Sequence, residues 1–253
     1  MGASVVGADR VLAVLLELAE HPDGITLDEL AHRLGSRKPT VHRALGALRR
    51  AGLAAQLGRG VYSLGDDFVR LAFRFHHARP ESVLVEPVLV ELAHHYGETA
   101  HYAVLEGAEV VYRAKVDPPT GGVRLTSVVG GRNPAYRTAV GKLLLSATLD
   151  SEHQLRELIG DGPLPARTPH SITSVDALWA ELVETGRRGY AIDDQENEVG
   201  INCVAVPVRW NTGGRPLGAI SVSALAFRMP VEKLVAEVPA IQHMVDQLTS
   251  GAR

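Results

Sequence analysis

The sequence predicts an α+β protein: an N-terminal winged helix-turn-helix, a linker helix, and a C-terminal domain with a mainly antiparallel sheet. Two observations predict this fold class. Near the N-terminus, three helical segments precede a short hairpin, and beyond residue 80 strand and helix patterns are interspersed. The second pattern is typical of α+β domains. We therefore divide the chain into residues 1–65, 66–80 and 81–253.

Two short helices open the chain. The first is predicted over 10–19, and the Pro-Asp-Gly segment at 22–24 breaks it. The second is predicted over about 27–34, because Thr26 and Glu29 have the spacing of a capping box.

A third helix is predicted to start at a Ser36 cap and to end near Gly52. Pro39 falls in its first turn, where a helix needs no backbone donor. Its apolar positions recur at helical spacing and must face the core: Val41, Leu45 and Leu48.

A hairpin follows this helix. Two short runs flank Gly58-Arg59-Gly60, which has the composition of a turn. Two helices joined by a tight glycine turn and followed by a hairpin make a winged helix-turn-helix.

Residues 66–79 predict an amphipathic linker helix, which Pro80 is expected to stop. Its apolar face is also able to pack against a partner chain, and consists of Phe68, Leu71, Ala72 and Phe75.

The remaining sequence predicts helices and strands in alternation. Helices are expected over 82–96, 138–148, 173–187 and 231–248. The helix at 173–187 is expected to be capped by Thr173 with Asp176. Strands are expected in a hairpin that turns at Glu106-Gly107-Ala108, at 124–129, at 190–193, and in a second hairpin over 203–226 around the glycine turn at 211–214.

Composition restricts the class of protein. The chain has 253 residues, a net charge of −3 and one cysteine, which excludes an internal disulfide framework and is typical of a reducing cytoplasm. No long apolar run predicts a membrane span, and the N-terminus does not have the pattern of a signal peptide. We expect a cytoplasmic protein without a cofactor.

The charge distribution points to nucleic acid. Seven basic residues and no acidic ones lie between Leu30 and Gly65. A surface that faces the phosphates of a duplex should lack carboxylates, although a solvated basic face has the same composition. The cap, the apolar stripe, the basic stretch and the hairpin agree with one architecture, which favours DNA binding.

The third helix is the predicted DNA-reading element. Because its apolar stripe faces the core, its basic positions turn outward and are able to reach guanine acceptors or phosphates. His42 is ambiguous between DNA and a contact within the domain, and the residue at the hairpin tip is able to enter a minor groove. The predicted DNA-binding residues are Arg37, Lys38, Thr40, His42, Arg43 and Arg59.

Three stretches carry a resemblance to a known family. They are ITLDELAHRLGSRKPTVHRALGALRRAGL near the N-terminus, NPAYRTAVGKLLLS in the middle, and GYAIDDQENEVGINCVAVPV with the following GAISVSA. Over nearly its whole length the chain resembles the IclR family of bacterial transcriptional regulators. The resemblance implies a GAF-like effector-binding domain, dimers that associate into tetramers, a double-stranded DNA operator with dyad symmetry, and a small carboxylic, sugar or aromatic acid as effector.

The start of the helix at 138–148 is the strongest candidate for an effector pocket. Small residues let a ligand approach the backbone, and the first amides of a helix bind anions. The resemblance assigns the effector's carboxylate to this turn. Arg137 stands where the family commonly has a small residue, and either clamps a carboxylate or points to solvent. The predicted residues are Arg137, Thr138, Ala139, Val140 and Gly141.

The acid-dense run at 193–198 has three possible roles: a solvated loop, a metal site or part of the effector pocket. It lacks the glycine pattern of an EF-hand loop. The resemblance favours the pocket for Asp193 and, less strongly, for Glu198. Ser221 and Ser223, two apart on a strand, face one side and are expected at the same pocket.

Cys203 and the histidines raise the question of catalysis or metal binding. Cys203 lies in an apolar strand without a nearby histidine, so we interpret it as a small pocket-lining residue and not a nucleophile. The adjacent pairs at 76–77 and 94–95 point apart on a helix, and no metal-binding motif is present. We predict neither a metal site nor an enzyme.

The main hypothesis is a ligand-responsive transcriptional regulator of a catabolic operon, with repression favoured over activation by the resemblance alone. Two alternatives remain open at this point. One is a cysteine-dependent enzyme with a structural N-terminal helical domain, and the other is a constitutive DNA-binding protein without a functional sensor.

Overall fold

The computed structural model describes residues 7–77, 80–119, 125–209 and 214–250. It divides into two compact units, Met1–Arg79 and Pro80–Arg253. The functional boundaries after residues 65 and 80 stay predictions.

The first unit contains four helices and a small antiparallel sheet in its described part. The strand order is β1-β3-β2, and the first three helices pack on one cluster of buried apolar side chains. The elements are α1 (Gly7–Ala19), β1 (Ile25–Thr26), α2 (Leu27–Arg33), α3 (Lys38–Arg50), β2 (Ala54–Gly58), β3 (Val61–Leu64) and α4 (Asp66–His77).

The capping box of α2 is confirmed. The Glu29 amide donates to Thr26 Oγ1 at 3.2 Å, and the Thr26 amide donates to Glu29 Oε2 at 3.1 Å. Two amides of the first turn therefore have acceptors before any tertiary contact forms.

The prediction that Ser36 caps α3 is wrong. Arg37 is the capping residue, in extended conformation and without a side-chain cap, and Pro39 follows in the first turn. Ser36 Oγ instead donates to the Leu34 carbonyl at 3.1 Å and accepts from Arg10. The serine therefore ties the glycine turn to α1, within the same unit.

The hairpin has the predicted position, with strands β2 and β3 joined at Arg59-Gly60. The sequence patterns missed the two-residue strand β1, which pairs Ile25 with Tyr62. A strand this short carries no periodic signal.

The linker helix α4 matches the prediction up to His77, and residues 78–79 lie outside the described part. Of its predicted apolar face, Phe68 is half-buried, whereas Leu71 and Phe75 are exposed within this chain. Pro80, which was expected to stop the linker helix, is the first residue of the next helix, where its missing amide donor has no consequence.

The second unit is built on one six-stranded antiparallel sheet of order β6-β5-β4-β9-β8-β7. Its strands are β4 (Thr99–Glu106), β5 (Glu109–Val116), β6 (Arg132–Pro134), β7 (Ala191–Asp194), β8 (Ile201–Val208) and β9 (Gly218–Leu225). Its helices are α5 (Pro80–Tyr96), α6 (Ala139–Thr148), α7 (Glu152–Ile159), α8 (Val175–Arg188), α9 (Val231–Ala236) and α10 (Val238–Ser250), with a 3₁₀ turn at Ala135–Arg137.

The two faces of this sheet bury different clusters. One face, rich in valine, packs against α5, α9 and α10. The other face packs against α6, α7 and α8, and carries small side chains where α6 crosses it: Ala103, Ala191, Ala205 and Ala219. Small side chains let a helix approach the strands closely, and this positions the start of α6 over the sheet.

The predicted strand at 124–129 is wrong for the residues that are described, since 125–129 form a loop. The Lys115 ammonium donates to the carbonyls of Leu125 and Ser127 at 2.9 and 2.8 Å. A side chain therefore takes the place of a neighbouring strand, and the edge strand β6 begins only at Arg132.

Two helix boundaries also differ from the prediction. Ser174, not Thr173, caps α8, accepting from the Ala177 amide at 3.2 Å. The predicted helix at 231–248 is two helices, because Pro239 lacks the amide that would continue the first one. The glycine turn predicted at 211–214 lies mostly outside the described residues.

Candidate functional site

The exposed face of α3 is the first candidate site. Arg37, Lys38, His42 and Arg43 are exposed and Thr40 is half-buried. The opposite face of the helix is buried in the core of the unit through Val41, Ala44, Leu45 and Leu48. The apolar stripe therefore turns the predicted residues outward, as expected.

The basic residues of this face differ in their partners. Lys38 Nζ lies 2.8 Å from Asp28 Oδ2. An acidic residue of α2 therefore pairs with the basic stretch at 30–65, which contains no acidic residue. Among the described residues, no ion pair involves Arg37, Arg43 or Arg59. These three cations keep their full charge for a phosphate or a base.

The hairpin tip carries the exposed Arg59 between two glycines. Gly60 has a φ of +74°, a conformation that a glycine adopts without strain. The Gln56 amide nitrogen donates to the Gly58 carbonyl at 2.9 Å, which braces the turn next to the arginine.

The second candidate site is a cavity of about 210 Å³ in the second unit, between the start of α6, the sheet and the loop at 125–131. Eight of the ten residues predicted for the effector line it. They are Thr138, Ala139, Val140, Asp193, Glu198, Cys203, Ser221 and Ser223.

Strand register explains why these residues meet. Cys203 pairs with Asp193 on one side and with Ser223 on the other, so the three lie in one row across β7, β8 and β9. A second row joins Ser221 to His101 on β4. Both rows lie on the face that carries α6, beside the alanines that the helix covers. The polar ends of the strands therefore line a space that the helix leaves open.

Thr138 organises the start of α6. Its Oγ1 accepts from the Gly141 amide at 3.1 Å, and its carbonyl accepts from the Lys142 amide at 2.9 Å. The first amides of a helix have no acceptor within it, and Ala139 and Val140 occupy those positions on the cavity wall. This turn has the geometry of an anion site.

Gly141 does not line the cavity. A Cβ at this position would lie 2.1 Å from the Ala135 carbonyl oxygen and 2.5 Å from its Cα. The glycine is therefore required for close packing of α6 against the preceding 3₁₀ turn, and not for access of a ligand.

Arg137 does not line the cavity either. Its Nε donates to Asn197 Oδ1 at 2.9 Å, and it is Asn197 that lies on the wall. Besides the two possibilities weighed for Arg137, a carboxylate clamp or a solvent-facing side chain, the structure shows a contact with a wall residue.

Asp193 is buried, with 3% of its surface exposed. Its Oδ1 accepts from the amides of Glu196 and Asn197 at 2.7 and 3.3 Å. These bonds favour the ionised form, but burial and the nearby Glu196 carboxyl outweigh them and raise the pKa of Asp193 to about 7. The carboxyl is therefore able to donate a proton to a ligand near neutral pH.

A buried ion pair lies behind Asp193. Lys142, 1% exposed, contacts Glu196, and its Nζ lies 3.5 Å from Glu181 Oε1. Burial raises the pKa of Glu196 although Lys142 lowers it, and Glu196 Oε2 has no hydrogen-bond partner among the described residues. Sequence patterns did not identify this pair, whose members are 54 residues apart.

Cys203 belongs to a chain of polar contacts. Its Sγ donates to Ser223 Oγ at 3.1 Å, and Ser223 Oγ lies 3.4 Å from His101 Nδ1. His101 Nε2 lies 2.8 Å from Ser127 Oγ in the loop. Burial raises the pKa of the Cys203 thiol well above its usual value, which disfavours the nucleophilic thiolate.

His101 is a wall residue that the sequence analysis missed. Burial, reinforced by the charge of Lys115, lowers its pKa to about 3, so the imidazole is neutral and able both to donate and to accept. The alternation of β4 places it on the Ala103 face, a signal that was available. No such signal was available for the other wall residues that were missed. They are Tyr112, the loop at 125–128, Gly131, Arg132, Asn133, Arg167, Asn197 and Ile201.

Two features are absent from the described residues. No group of three or more histidine, cysteine or acidic side chains converges as a metal site would. No helix in the same part of the chain is long and apolar enough to cross a membrane.

Comparison with known proteins gives matches to both units. Residues 7–58 match the model of the IclR helix-turn-helix domain, and residues 82–250 match that of the C-terminal domain of bacterial IclR transcriptional regulators. The Pca regulon regulatory protein of Pseudomonas putida is 31% identical over 225 residues, covering 89% of this chain and 76% of its own.

Solved structures have the same fold over nearly the full length. An IclR transcriptional regulator of Alicyclobacillus acidocaldarius is 29% identical with a TM-score of 0.80, covering 98% of this chain and 99% of its own. An IclR homologue of Microbacterium hydrocarbonoxydans, crystallised with 4-hydroxybenzoate, is 24% identical with a TM-score of 0.72, covering 94% of this chain and 99% of its own.

Proposed function

The chain belongs to the IclR family of bacterial transcriptional regulators, and from this premise we propose that it is a repressor of a catabolic operon that responds to a small organic acid. Membership of the family makes it a DNA-binding protein with an effector-binding domain, and not an enzyme. The sign of regulation and the chemistry of the effector are the proposal.

The observation that supports the effector proposal is the cavity itself. One cavity collects eight residues that were selected from three separate sequence segments, and it includes the first turn of α6. A volume of about 210 Å³ fits a compact ligand. The helix start favours an anionic group, and the carboxyl of Asp193, in its protonated form, is able to donate to it.

The hydroxyl groups of the wall support a ligand with polar substituents. Ser221 is buried, and no hydrogen bond to its hydroxyl is found within the described residues. With the neutral His101 beside it in register, this wall fits a hydroxylated carboxylic acid, either a sugar acid or an aromatic hydroxy acid.

For DNA, we propose that α3 lies in a major groove and reads it with Arg37, Thr40 and Arg43, while Lys38 and Arg59 contact phosphates or the minor groove. His42 is a further candidate contact. A site with dyad symmetry needs at least a dimer, and we propose a homodimer or homotetramer.

Regulation then requires that the effector bind two states of the protein with different affinities. We propose that the linker, residues 66–80, transmits the change, so that the acid alters how the two DNA-binding units of a dimer are presented to the operator. An effector with equal affinity for both states would have no effect, however tightly it bound.

The test is fluorescence anisotropy with a duplex from upstream of the chain's own gene. Specific binding over a scrambled duplex, reduced by one acid of a panel that includes 4-hydroxybenzoate, benzoate and gluconate, is the expected result. If the chain binds the operator but no acid changes either this binding or the melting temperature, the alternative of a constitutive DNA-binding protein replaces the proposal.

A further inference from the structure

Two cations on the cavity wall, Arg132 and Arg167, were not selected by any sequence pattern. Arg167 lines the cavity and is exposed. Within the described ranges, no ion pair or side-chain hydrogen bond involves its guanidinium. A guanidinium with five donors and no partner is able to bind a carboxylate through two parallel hydrogen bonds.

The other cations near the cavity have partners. Arg132 lines it as well, but contacts Glu106 at 2.6 Å and Glu109 at 3.3 Å. The Arg137 Nε donates to Asn197 Oδ1. Lys115 Nζ lies 3.0 Å from Asp117 and donates to two loop carbonyls. Arg167 is therefore the wall cation whose charge is not neutralised by an acid in the part of the chain that is described.

An acidic ligand needs such a cation in this cavity. Asp193 and Glu198 are both wall residues, and a carboxylate beside either of them is repelled whenever it is ionised. The helix start supplies only partial positive charge. Arg167 adds a full positive charge on the same wall.

The backbone under Arg167 is fixed on two sides. The amides of Arg167 and Thr168 both donate to Ser171 Oγ at 3.0 Å. Ser171 Oγ in turn lies 2.7 Å from the Glu196 carbonyl, and Thr168 Oγ1 donates to the Gln195 carbonyl at 2.7 Å. The segment is therefore joined to the loop that Asp193 caps.

A third bond ties the segment to the start of α6. The Tyr136 hydroxyl donates to the Pro165 carbonyl at 2.7 Å. Tyr136 lies two residues before Thr138 in the chain, and Pro165 lies two residues before Arg167. The base of the arginine is thus held between the helix start and the acidic loop, while its guanidinium keeps its freedom to move. Such an arm is preorganised in position and loses little backbone entropy on binding.

We propose that Arg167, and not Arg137, binds the anionic group of the effector at the mouth of the cavity. The inference rests on the proposed function, since it assumes that the cavity takes an acid. The inference names the residue through which the cavity would bind an acid more tightly than an uncharged molecule of the same shape.

The experiment compares acids with their primary amides, which keep the shape and lose the charge. Thermal shift and calorimetry are measured with 4-hydroxybenzoate and 4-hydroxybenzamide, benzoate and benzamide, and gluconate and gluconamide. The variants are Arg167→Gln, Arg167→Lys and, as a matched control for lost charge, Arg187→Gln on the exposed face of α8, where Arg187 pairs with Glu184.

The wild-type protein is expected to bind one acid at least about 10-fold more tightly than its amide, as for a charge-assisted hydrogen bond. Arg167→Gln should lose this preference and keep the affinity for the amide. Arg167→Lys should restore part of it, and Arg187→Gln should behave as wild type. Unchanged operator binding and melting temperature without ligand show that each variant is folded.

Two results overturn the inference and are distinguishable. If Arg167→Gln keeps the wild-type preference for the acid, Arg167 does not bind the anion, and the proposed function stands. If no acid of the panel raises the melting temperature of the wild-type protein, the acid-sensing proposal itself fails, and the role of Arg167 fails with it.

Discussion

Asp193 and Cys203 lie directly opposite each other across β7 and β8, although ten residues separate them in the chain. Register alone brings a carboxyl and a thiol onto one wall, next to Ser223. Burial there raises the pKa of both groups, to about 7 for Asp193 and well above its usual value for Cys203. The row formed by Asp193, Cys203 and Ser223 is therefore polar but uncharged at pH values below the pKa of Asp193.

The raised pKa of Asp193 predicts a pH-dependent stability. Because the folded pKa, about 7, lies above the unfolded value of about 4, the native state holds a proton that the unfolded state loses between these values. The free energy of unfolding should fall as pH rises through this window, by on the order of 2–4 kcal/mol. Asp193→Asn should remove this component.

Urea unfolding of wild type and Asp193→Asn at pH 5 and pH 7.5 measures this pH-dependent part of the free energy of unfolding. The expected result is that Asp193→Asn gains stability relative to wild type as the pH rises. Parallel pH profiles for the two proteins would mean that Asp193 is ionised throughout, and that Lys142 and the two backbone amides outweigh burial.

The packing of Gly141 predicts that Gly141→Ala is destabilising. The new Cβ would meet the backbone of Ala135 at 2.1 Å, which no rotamer change relieves, and overpacking of this kind costs about 1–3 kcal/mol or more. Gly186 in α8 is the matched control, because a Cβ there meets nothing within 4 Å.

Gly186→Ala should leave stability unchanged or raise it by up to about 1 kcal/mol. Thermal unfolding measures the melting temperatures of both variants. Equal melting temperatures would show that the start of α6 is able to move away from the 3₁₀ turn.

The exposed face of α3 predicts a position-dependent effect on DNA affinity. Arg43→Ala should weaken operator binding by about 1–3 kcal/mol if the side chain reads a base. Arg49 is a matched control on the same helix: it is also exposed, and it lies six residues further on, about 120° around the axis.

Anisotropy titrations at one fixed salt concentration compare the two variants with wild type. A much larger loss for Arg43→Ala than for Arg49→Ala is expected. Equal losses would assign both arginines to a general electrostatic attraction and would remove Arg43 from the reading set.

The environment of Cys203 predicts a slow thiol. Iodoacetamide needs the thiolate, which burial disfavours, so the folded protein at pH 8 should react far more slowly than the same protein in urea. Mass spectrometry follows the reaction. Fast alkylation of the folded protein would contradict the raised pKa of this half-buried thiol between Asp193 and Ser223.

Local signals in the sequence predicted most of the helices, although no pattern had predicted α7. Capping boxes, apolar stripes and glycine turns act within a few residues, and they located α2, α3 and α6 to within about two residues. Ser36 and Thr173 failed as caps because a neighbouring residue took the capping position in each case.

Contacts between distant segments were not predictable in this way. The pair of Lys142 with Glu196 joins a helix to a loop, and the ion pair of Lys38 with Asp28 joins two helices. The loop at 125–129 was mistaken for a strand because its carbonyls are bound by the side chain of Lys115, which leaves no local pattern. Strand alternation identified Ser221 and Ser223, but it was not applied to His101 on the same face.

The central claim is that one chain joins a DNA-reading helix to an acid-binding cavity. The most direct measurement titrates the operator complex with the acid identified by the panel, for wild type, Asp193→Ala and the control Asp194→Ala, the neighbouring acid on the same strand. The account predicts equal operator affinity for all three without ligand, release by the acid for wild type and the control, and no release for Asp193→Ala. Release of the Asp193→Ala complex at wild-type acid concentrations would contradict it.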